Sequence, residues 1–229
     1  MILIENTEVM GFEPAIRGCR NPFNSWNKSD SRWEYDDEGE EFSYNIGPND
    51  LDLMKRLAVR GPVHAKYRRM IVVYADIVAP RYWWAEYDTY KVGTVANSCS
   101  TMHKIQAKEF VLDDFSAEHL LVDEIPQSYR EIMPMDGLMT VIQLLNESRE
   151  LYLREKDPER KKEYWWQMIQ LLPSSYNQRR TVMLNYEVLA GIYPMRKNHK
   201  LDEWHKFCEW IESLPHSELI TMRGDHNAE

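Results

Sequence analysis

Residues 70–105 read MIVVYADIV (Met70–Val78) followed by APRYWWAEYDTYKVGTVANSCSTMHKI (Ala79–Ile105). The first part is rich in β-branched residues and apolar on both faces, which predicts a strand in the middle of a sheet. Pro80 suits the first turn of a helix, where a backbone N–H is not needed. We therefore expect a buried strand that passes directly into an aromatic-rich helix, which runs into Gly93.

Small polar residues follow this helix, namely Asn97, Ser98, Ser100 and Thr101. Their side-chain donors and backbone N–H groups can approach a phosphate or a planar ring closely, which makes the segment a candidate ligand site. The same residue types also form turns and helix caps. Both interpretations stay open at this point.

Helical spacing of apolar residues dominates the flanking sequence. Before the strand, we predict a helix over Asn49–Arg60, with Asn49 as its N-cap and Gly61 at its end. After residue 135, we predict a largely helical C-terminal half. Its helices are predicted to begin just after Asp136 and to cover Tyr164–Leu172, Arg180–Arg196 and Leu201–Ile211. Mixed α and β structure followed by helices predicts an α+β fold with a mixed sheet.

Charge and composition exclude several classes of protein. The 229 residues include 28 basic and 37 acidic ones, so the formal net charge is −9. A general nucleic-acid clamp needs a basic surface, and we therefore expect no nucleic-acid partner. An anionic ligand would have to be held by a local cluster of Arg and Lys. Hydrophobic residues at 43% and aromatic residues at 12% predict a packed globular fold.

Cysteine usage and the apolar runs predict the compartment. The three cysteines, Cys19, Cys99 and Cys208, are odd in number and widely spaced, unlike the framework of a secreted disulfide protein. The first residues lack the features of a signal peptide, and the longest apolar run is too short to span a bilayer. We expect a cytoplasmic protein with no membrane association.

The chain shows no repeat and no linker, so we expect one domain over residues 1–229. Its one shift in composition is acidic and centres on Glu34–Glu41. Because like charges at this density repel one another, we expect an acidic, solvated loop over residues 30–48.

The segment Ala79–Ile105 resembles the signature region of the flavin-dependent thymidylate synthases. In that family a helix enters after an Ala-Pro pair, carries a Gln–aromatic step and runs into the signature RHRxxSxNExSxR. Here Ala79-Pro80 match the Ala-Pro pair, and Glu86-Tyr87 stand at the Gln–aromatic step. Asn97 and Ser100 match the Asn and the second Ser of the signature.

Two further segments resemble the same family. VMGFEPAIRGCR (residues 9–20) is similar to its opening strand, turn and helix, with Arg17 in the matching place. LLPSSYNQRRTVMLNYEVLAGIYPMR (residues 171–196) is similar to its second helical region. There the Leu-Pro pair, the Asn and the final Arg fall on Leu172-Pro173, Asn185 and Arg196.

The chain departs from the family pattern at its basic residues. The Arg-His-Arg falls on Tyr90-Lys91-Val92, or one residue earlier when the alignment starts from Ala79-Pro80, and only Lys91 keeps a charge. The Glu after the Asn is Ser98, and the closing Arg is Met102. The Arg that binds the nucleotide phosphate in the family falls on Ile169. Six other basic residues are candidates to replace this charge: Arg17, Arg20, Lys104, Arg179, Arg180 and Arg196.

The resemblance implies reductive methylation of dUMP or a related pyrimidine nucleotide, with FAD as the cofactor. NADPH and methylenetetrahydrofolate are the implied co-substrates, and a homotetramer is the implied assembly. The residues implied for the flavin are Lys91 and Asn97. Those implied for the nucleotide are Arg17, Glu86, Ser100, Asn185 and Arg196. The open alternatives are a non-catalytic nucleotide-binding or regulatory protein and a purely structural assembly protein on the same scaffold.

Three further residue groups have weaker chemical interpretations. Ser100 and His103 are candidates for a catalytic role, His103 as an acid or base. Cys99 lies inside the motif as a conceivable thiolate nucleophile, although a packed, inert thiol is the stronger alternative. His205 and Cys208 share a helix and His199 precedes them, but a closed zinc site needs more ligands. We therefore expect no metal.

Overall fold

The computed structural model describes residues 1–35, 39, 42–122 and 133–222 of the chain. Its strands are β1 (Leu3–Met10), β2 (Arg32–Tyr35), β3 (Phe42–Asn45), β4 (Val72–Pro80), β5 (Val95–Ser98) and β6 (Asn177–Asn185). Its α-helices are α1 (Phe12–Arg20), α2 (Pro48–Ala58), α3 (Arg81–Tyr87), α4 (Thr101–Lys104), α5 (Pro134–Arg154), α6 (Pro158–Leu171), α7 (Tyr186–Arg196), α8 (Asp202–Ser213) and α9 (Glu218–Thr221). The α+β class predicted from the sequence is confirmed. None of the helices in the described part of the chain has the length and apolar character needed to cross a bilayer.

The central strand lies where the sequence predicts it. One sheet has the strand order β1-β4-β6-β5, so β4 has a neighbour on each side. Alternate residues of β4, from Val73 to Ala79, are buried, whereas Tyr74 is 36% exposed. One face of β4 is therefore more deeply buried than the other. The strand passes through Pro80 into α3, as predicted from Met70–Val78 and Pro80.

The chain forms two compact units. Unit 1 consists of Met1–Leu3, Ile77–Thr89 and Asn97–Arg180, and unit 2 consists of Ile4–Asp76, Tyr90–Ala96 and Thr181–Glu229. Each unit combines segments that are far apart in the sequence. Neither unit is therefore one continuous stretch of sequence that a linker joins to the other.

Unit 1 has a core in which α5 packs against α6. The buried side chains of this core come from both helices and from the segment after α4: Ile105, Phe110, Phe115, Leu138, Ile142, Leu145, Met168 and Leu172. Asn146 of α5 fixes that segment, because its side chain accepts from the N–H of Phe110 at 2.8 Å and donates to the Phe110 carbonyl at 2.8 Å.

Unit 2 packs α1 against α2, and α7 against α8 and α9. Gly11 makes the turn between β1 and α1 with φ at +99°. A Cβ at this position would lie 2.1 Å from the carbonyl oxygen of Met70. Only glycine fits both the backbone conformation and the close approach. This confirms the opening strand, turn and helix that the resemblance implies for residues 9–20.

The predicted helix over Arg180–Arg196 is wrong in its first part. Asn177–Asn185 form strand β6, in which Val182 and Leu184 are buried and Thr181 is exposed, the alternation of a strand. The helix α7 begins only at Tyr186, after Asn185 accepts a hydrogen bond from the backbone N–H of Val188 at 3.0 Å. Pro194 lies inside the helix and does not end it.

The predicted loop over residues 30–48 is wrong for its two ends. Strands β2 and β3 pair antiparallel, with Trp33 opposite Tyr44 and Tyr35 opposite Phe42. The rings of Trp33 and Phe42 stack, with centroids 5.2 Å apart. Aromatic side chains on one face of paired strands favour this structure over a loop. Of the acidic stretch, Asp36, Asp37, Glu38, Glu40 and Glu41 lie outside the described residues.

Several helix starts also differ from the prediction. Helix α6 begins at Pro158 rather than at Tyr164. Helix α5 begins at Pro134 rather than after Asp136. Helix α2 begins at Pro48, so Asn49 lies in its first turn and is not its N-cap. The N–H groups of Asn49 and Asp50 instead donate to the carboxylate of Asp30, at 2.9 and 3.1 Å. A carboxylate from outside the helix thus satisfies N–H groups of its first turn.

Candidate functional site

The residues predicted to bind ligands lie in both units of the structure. Unit 1 contains Glu86, Asn97, Ser100 and His103, and unit 2 contains Arg17, Lys91, Asn185 and Arg196. The surroundings of each residue are described within its own unit.

Ser100 lines a pocket of about 240 Å³ in unit 1, here called the Ser100 pocket. The charged and hydroxyl-bearing residues that line it are Ser100, Thr101, Lys104, Lys108, Asp113, Asp114, Tyr176 and Arg179. Cys99 also lines it, and its thiol is exposed. The structure thus places the signature serine and two of the replacement cations, Lys104 and Arg179, on one cavity.

Backbone pairing at the ends of β5 and β6 holds this pocket together. The N–H of Cys99 donates to the carbonyl of Arg179 at 3.0 Å, and the side-chain amide of Gln178 donates to the carbonyl of Cys99 at 2.8 Å. Ser100 follows Cys99 directly. Ser100 and Arg179 are far apart in the sequence, and these hydrogen bonds bring them to the same pocket.

Ser100 has a structural role in addition to its place in the pocket. Its hydroxyl oxygen accepts a hydrogen bond from the backbone N–H of His103 at 3.2 Å and caps α4. His103 is exposed, and its imidazole makes no hydrogen bond to the Ser100 hydroxyl or to another side chain in the described ranges. The capping interpretation of this segment is confirmed for Ser100, whose hydroxyl hydrogen can still donate to a ligand.

The charged side chains that line the Ser100 pocket differ in whether they form ion pairs. Lys108 forms an ion pair with Asp114, whose other carboxylate oxygen accepts from the N–H of Val111 at 3.1 Å. Lys104 forms no ion pair with another residue of the described chain. Counting three cations (Lys104, Lys108, Arg179) and two carboxylates gives 3 − 2 = +1 for the pocket. The pocket is locally cationic in a chain of net charge −9.

Tyr176 closes one side of the Ser100 pocket. Burial, together with the nearby Asp114 and Cys99, raises the pKa of its hydroxyl. Its ring contacts Phe110 and Phe115 edge-on, at centroid distances of 6.3 and 5.6 Å. The phenol therefore stays protonated and presents a neutral hydrogen-bonding group to the pocket.

Arg180 is committed to other partners in unit 1. Its Nη1 lies 2.7 Å from Oδ1 of Asp88, and its guanidinium lies 4.2 Å above the ring of the buried Trp84. Neighbouring residues of a strand point to opposite faces, so Arg179 and Arg180 diverge. Glu86 is half-buried on α3, and Asn97 is exposed with no side-chain hydrogen bond to another described residue.

Arg196 in unit 2 is oriented by two aromatic rings. Its Nε donates to the hydroxyl of Tyr90 at 2.7 Å, and its guanidinium lies 4.5 Å from the centroid of Trp204. Cation–π contact and the hydrogen bond fix the planar group at the end of α7. Lys91, next to Tyr90, is exposed and makes no ion pair or side-chain hydrogen bond within the described residues.

Asn185 caps α7 and also lies against Gly93. A Cβ on Gly93 would lie 3.1 Å from the side-chain nitrogen of Asn185 and 3.0 Å from a methyl group of Val188, and φ at Gly93 is +80°. Helix capping therefore gives Asn185 a structural role, and the positive φ and close packing give one to Gly93. The nucleotide contact implied for Asn185 stays a prediction.

Arg17 and Arg20 lie in different surroundings although they are neighbours on α1. Arg17 is exposed and pairs with Glu13 at 2.7 Å. Arg20 is buried and pairs with Asp50 at 2.7 Å. Arg20 is therefore wrong as a replacement phosphate ligand, because its charge is already neutralised inside the fold.

Arg17 lines a second cavity, of about 600 Å³, in unit 2. Trp26, Trp33 and Tyr44 contribute aromatic rings to this cavity. Sequence reasoning missed these rings, although Trp33-Glu34-Tyr35 and Phe42-Ser43-Tyr44 alternate as strand residues do. It also missed Lys108 and Tyr176, for which the sequence carries no local signal.

The metal site weighed from the sequence gains no support. Among the described residues no group of three or more His, Cys, Asp or Glu side chains is close enough to hold a metal ion. His199 contacts the ring of Trp204 edge-on at 6.3 Å. Cys208 is buried, and burial raises the pKa of its thiol to about 11.

Solved structures share this architecture. A flavin-dependent thymidylate synthase from Helicobacter pylori, in complex with FAD and dUMP, is 16% identical with a TM-score of 0.62, covering 96% of this chain and 97% of that chain. A second structure of the thymidylate synthase from that organism with FAD and dUMP, also 16% identical, gives a TM-score of 0.64 over 99% and 100% of the two chains. A UMP/dUMP methylase from Streptomyces cacaoi, bound with 5-Br dUMP, is 15% identical with a TM-score of 0.58 over 98% and 96%.

The chain has the fold of the flavin-dependent thymidylate synthases. No protein-family model and no curated protein sequence matches it. The similarity is therefore one of fold, and it extends over nearly the full length of this chain. The family fold implied by the segment Ala79–Ile105 is confirmed.

Proposed function

We propose that this protein binds a pyrimidine nucleotide, dUMP or a close relative, together with FAD, and catalyses its reductive methylation. In this reaction methylenetetrahydrofolate supplies the one-carbon unit and NADPH supplies the hydride. The observation that carries the proposal is the match of 96–99% of the chain to solved structures that hold FAD and dUMP or 5-Br dUMP. We treat residues 1–229 as one functional domain for the same reason.

The residues proposed for the flavin fit that group chemically. The ammonium of Lys91 and the amide of Asn97 are exposed and make no hydrogen bond within the described residues, so their donors are available. Phosphates and ring carbonyls of FAD accept such hydrogen bonds. When bound, the flavin supplies hydride transfer and carries the one-carbon unit.

The chain's own part in the reaction is binding and orientation. We propose that Arg196, whose guanidinium is oriented by Tyr90 and Trp204, contacts the nucleotide from a fixed direction. Arg17 and Glu86 are proposed as further nucleotide contacts. No acid or base is assigned to His103, because its imidazole makes no hydrogen bond to Ser100.

The visible spectrum of the protein tests this function. After incubation with FAD and removal of the excess, we expect a bound-flavin spectrum that shifts when dUMP is added. Lys91→Gln should weaken flavin retention, whereas Lys28→Gln, which removes an exposed lysine elsewhere in unit 2, should not. A protein that stays colourless after incubation with FAD would contradict the flavin assignment.

A non-catalytic nucleotide-binding protein is the second candidate. It is favoured by the loss of basic residues at the positions where the family has Arg-His-Arg. There, Tyr90 is hydrogen-bonded to Arg196, and Val92 is apolar and 91% exposed. This candidate predicts that dUMP binds with equal affinity in the presence and absence of FAD. The enzyme predicts a change of affinity on adding FAD, since both ligands then share one site.

We also propose that the protein is a homotetramer, as the resemblance implies. Val92 and Val95 are 91% and 60% exposed, and apolar side chains of this kind are commonly covered when subunits associate. Light scattering coupled to size-exclusion chromatography should give the mass of four chains. A monomer at micromolar concentration would contradict this assembly.

A further inference from the structure

The strands β2 and β3 carry their aromatic side chains on one face. Trp33 lies opposite Tyr44 and Tyr35 lies opposite Phe42, and residues two apart on a strand point to the same side. Three of these residues, Trp33, Tyr35 and Phe42, are at least half exposed. Contiguous exposed apolar surface, unlike single scattered residues, is characteristic of interaction and ligand-binding sites.

Two of the four rings, those of Trp33 and Tyr44, line the cavity beside Arg17, here called the Arg17 cavity. Trp26, which follows α1, contributes a third ring, and Ile16 of α1 contributes a buried apolar side chain. The cavity volume of about 600 Å³ is within the range of sites that hold small molecules. All of its lining residues belong to unit 2, so the cavity is formed within one compact unit.

Hydrogen bonds within the protein hold the two tryptophan rings in place. The indole N–H of Trp26 donates to the side-chain oxygen of Asn21 at 2.7 Å, and that of Trp33 donates to the carboxylate of Glu13 at 3.1 Å. The ring of Trp33 also contacts Tyr44 edge-on, with centroids 5.3 Å apart. Because their N–H groups are already bonded, the indoles offer a ligand their apolar ring surfaces. Rings that are already fixed lose little freedom when a planar ring stacks on them.

The charged side chains of the Arg17 cavity favour an anion over a cation. The lining includes the guanidinium groups of Arg17, Arg20 and Arg32 and the carboxylate of Glu13. Arg20 is buried and already neutralised inside the fold. Arg17 and Arg32 are exposed and pair with carboxylates at the surface, those of Glu13 and Glu34. Because such surface pairs contribute little to stability, a ligand anion can replace the carboxylate at small cost.

We propose that the Arg17 cavity binds a planar aromatic ring that carries an acid group, either a carboxylate or a phosphate. The ring stacks on the indoles of Trp26 and Trp33. The acid group accepts hydrogen bonds from the guanidinium groups of Arg17 and Arg32, whose geometry suits the oxygens of both acids. This site does not depend on the proposed function, although it shares Arg17 with the contacts proposed there for the nucleotide.

Calorimetric titration of the protein with two matched pairs of ligands tests this site. Indole-3-acetate and indole-3-acetamide share a ring and differ in charge, and so do dUMP and deoxyuridine. We expect at least one anion to bind about tenfold or more tightly than its neutral counterpart, the effect of a charge-assisted hydrogen bond. The pair that shows this difference, and loses it in the variants of the cavity, identifies the acid group as a carboxylate or a phosphate.

Variants of the cavity separate the contribution of the acid group from that of the ring. Arg17→Gln should weaken the bound anion about tenfold and leave its neutral counterpart unchanged. Trp33→Leu should weaken both members of the pair about fivefold, the loss of one stacked ring. Trp26→Leu should do the same, and it does not touch the pairing of β2 with β3. Circular dichroism spectra equal to the wild type exclude misfolding of the variants.

The chain offers matched controls for both kinds of variant. Arg56, like Arg17, is exposed and pairs with a carboxylate four residues earlier on a helix of unit 2. Trp166 is an exposed indole of unit 1. Arg56→Gln and Trp166→Leu should therefore leave the affinity of every ligand unchanged.

The outcomes separate this site from the proposed function. If neither anion binds more tightly than its neutral counterpart, or if the variants of the cavity leave both anions unchanged, the site is overturned. If Arg17→Gln weakens dUMP and the tryptophan variants weaken no ligand, Arg17 serves the nucleotide alone, so the aromatic site is overturned and the proposed function stands. If Arg17→Gln and Trp33→Leu both weaken indole-3-acetate while dUMP does not bind, the site stands and the proposed function is wrong.

Discussion

Arg20 of unit 2 is buried and pairs with Asp50 at 2.7 Å, whereas Lys104 of unit 1 is exposed and pairs with no other described residue. Both are cations that the sequence alone offers as phosphate ligands. The difference shows that residue type does not decide between a structural charge and a ligand-binding one. Burial and existing partners decide it, because a buried, neutralised cation cannot be turned toward a ligand without breaking the fold.

The carboxylate of Asp50 is the central hydrogen-bond acceptor in the surroundings of Arg20 in unit 2. It is fully buried and accepts hydrogen bonds from the hydroxyls of Ser29 and Ser31, each at 2.7 Å, from backbone N–H groups and from Arg20. Although burial opposes its ionisation, these hydrogen bonds hold the pKa of Asp50 at about 2. Such a network orders the segment between the end of α1 and the start of α2.

The largest effect should come from breaking this pair. Asp50→Ala leaves Arg20 buried without a counter-charge, which costs about 3–5 kcal/mol of unfolding free energy. Asp52→Ala, two residues away, removes an exposed carboxylate that pairs with the exposed Arg56 and should cost no more than about 0.5 kcal/mol. Urea denaturation measures both variants. Equal losses for Asp50 and Asp52 would contradict the structural role.

Acid should weaken the same region. The pKa of Asp50 is lowered from its ordinary value of 3.8 to about 2 in the folded state, so its contribution is complete above pH 4 and is lost as the pH falls toward 2. The loss is on the order of 2 kcal/mol. Unfolding free energies measured from pH 5 to pH 2 should fall less steeply in Asp50→Asn. Parallel curves for the two proteins would show that Asp50 is not the titrating group.

An intermediate effect is expected at the cap of α7. Asn185→Ala removes the acceptor for the N–H of Val188 and should cost about 1 kcal/mol. Asn185→Asp keeps the acceptor and should cost less. If Asn185→Ala instead leaves stability unchanged and weakens dUMP binding, the residue serves the ligand rather than the helix.

The smallest effect on stability is expected at Cys99, which is exposed in unit 1, whereas Cys19 and Cys208 are buried in unit 2. Burial and the nearby Asp50 raise the pKa of the Cys19 thiol to about 12, and Cys208 is also buried, whereas Cys99 is exposed on the Ser100 pocket. We expect a thiol reagent to modify one cysteine per folded chain, and Cys99→Ser to abolish that reaction without a change in stability. Rapid reaction of two or more thiols would contradict the burial of Cys19 and Cys208.

Much of the fold follows from local sequence patterns. The apolar run Met70–Val78 and Pro80 predict a buried strand and the helix after it, because strand period and proline geometry are local properties. Residues 177–185 were harder to predict, since Gln178-Arg179-Arg180-Thr181 carry no apolar alternation and the strand is set by its pairing. Aromatic pairing across β2 and β3 likewise overrides the acidic composition of residues 30–48.

The candidate site is only partly predictable. Ser100, Lys104 and Arg179 can be chosen from the sequence as polar or basic residues near a motif. Their convergence depends on the hydrogen bonds between Cys99 and residues 178–179, which join positions about eighty residues apart. Ion pairing of Arg20 and Arg180 is equally invisible to sequence reasoning, because it depends on which distant carboxylates the fold brings near.

The most direct test is a crystal structure of the protein with 5-bromo-dUMP, in which anomalous scattering from bromine locates the base. We predict that the nucleotide lies within hydrogen-bonding distance of Arg196, the side chain proposed to orient it. A nucleotide bound away from Arg196, or no bound nucleotide in the crystal, would contradict the central claim that this chain binds a pyrimidine nucleotide through Arg196.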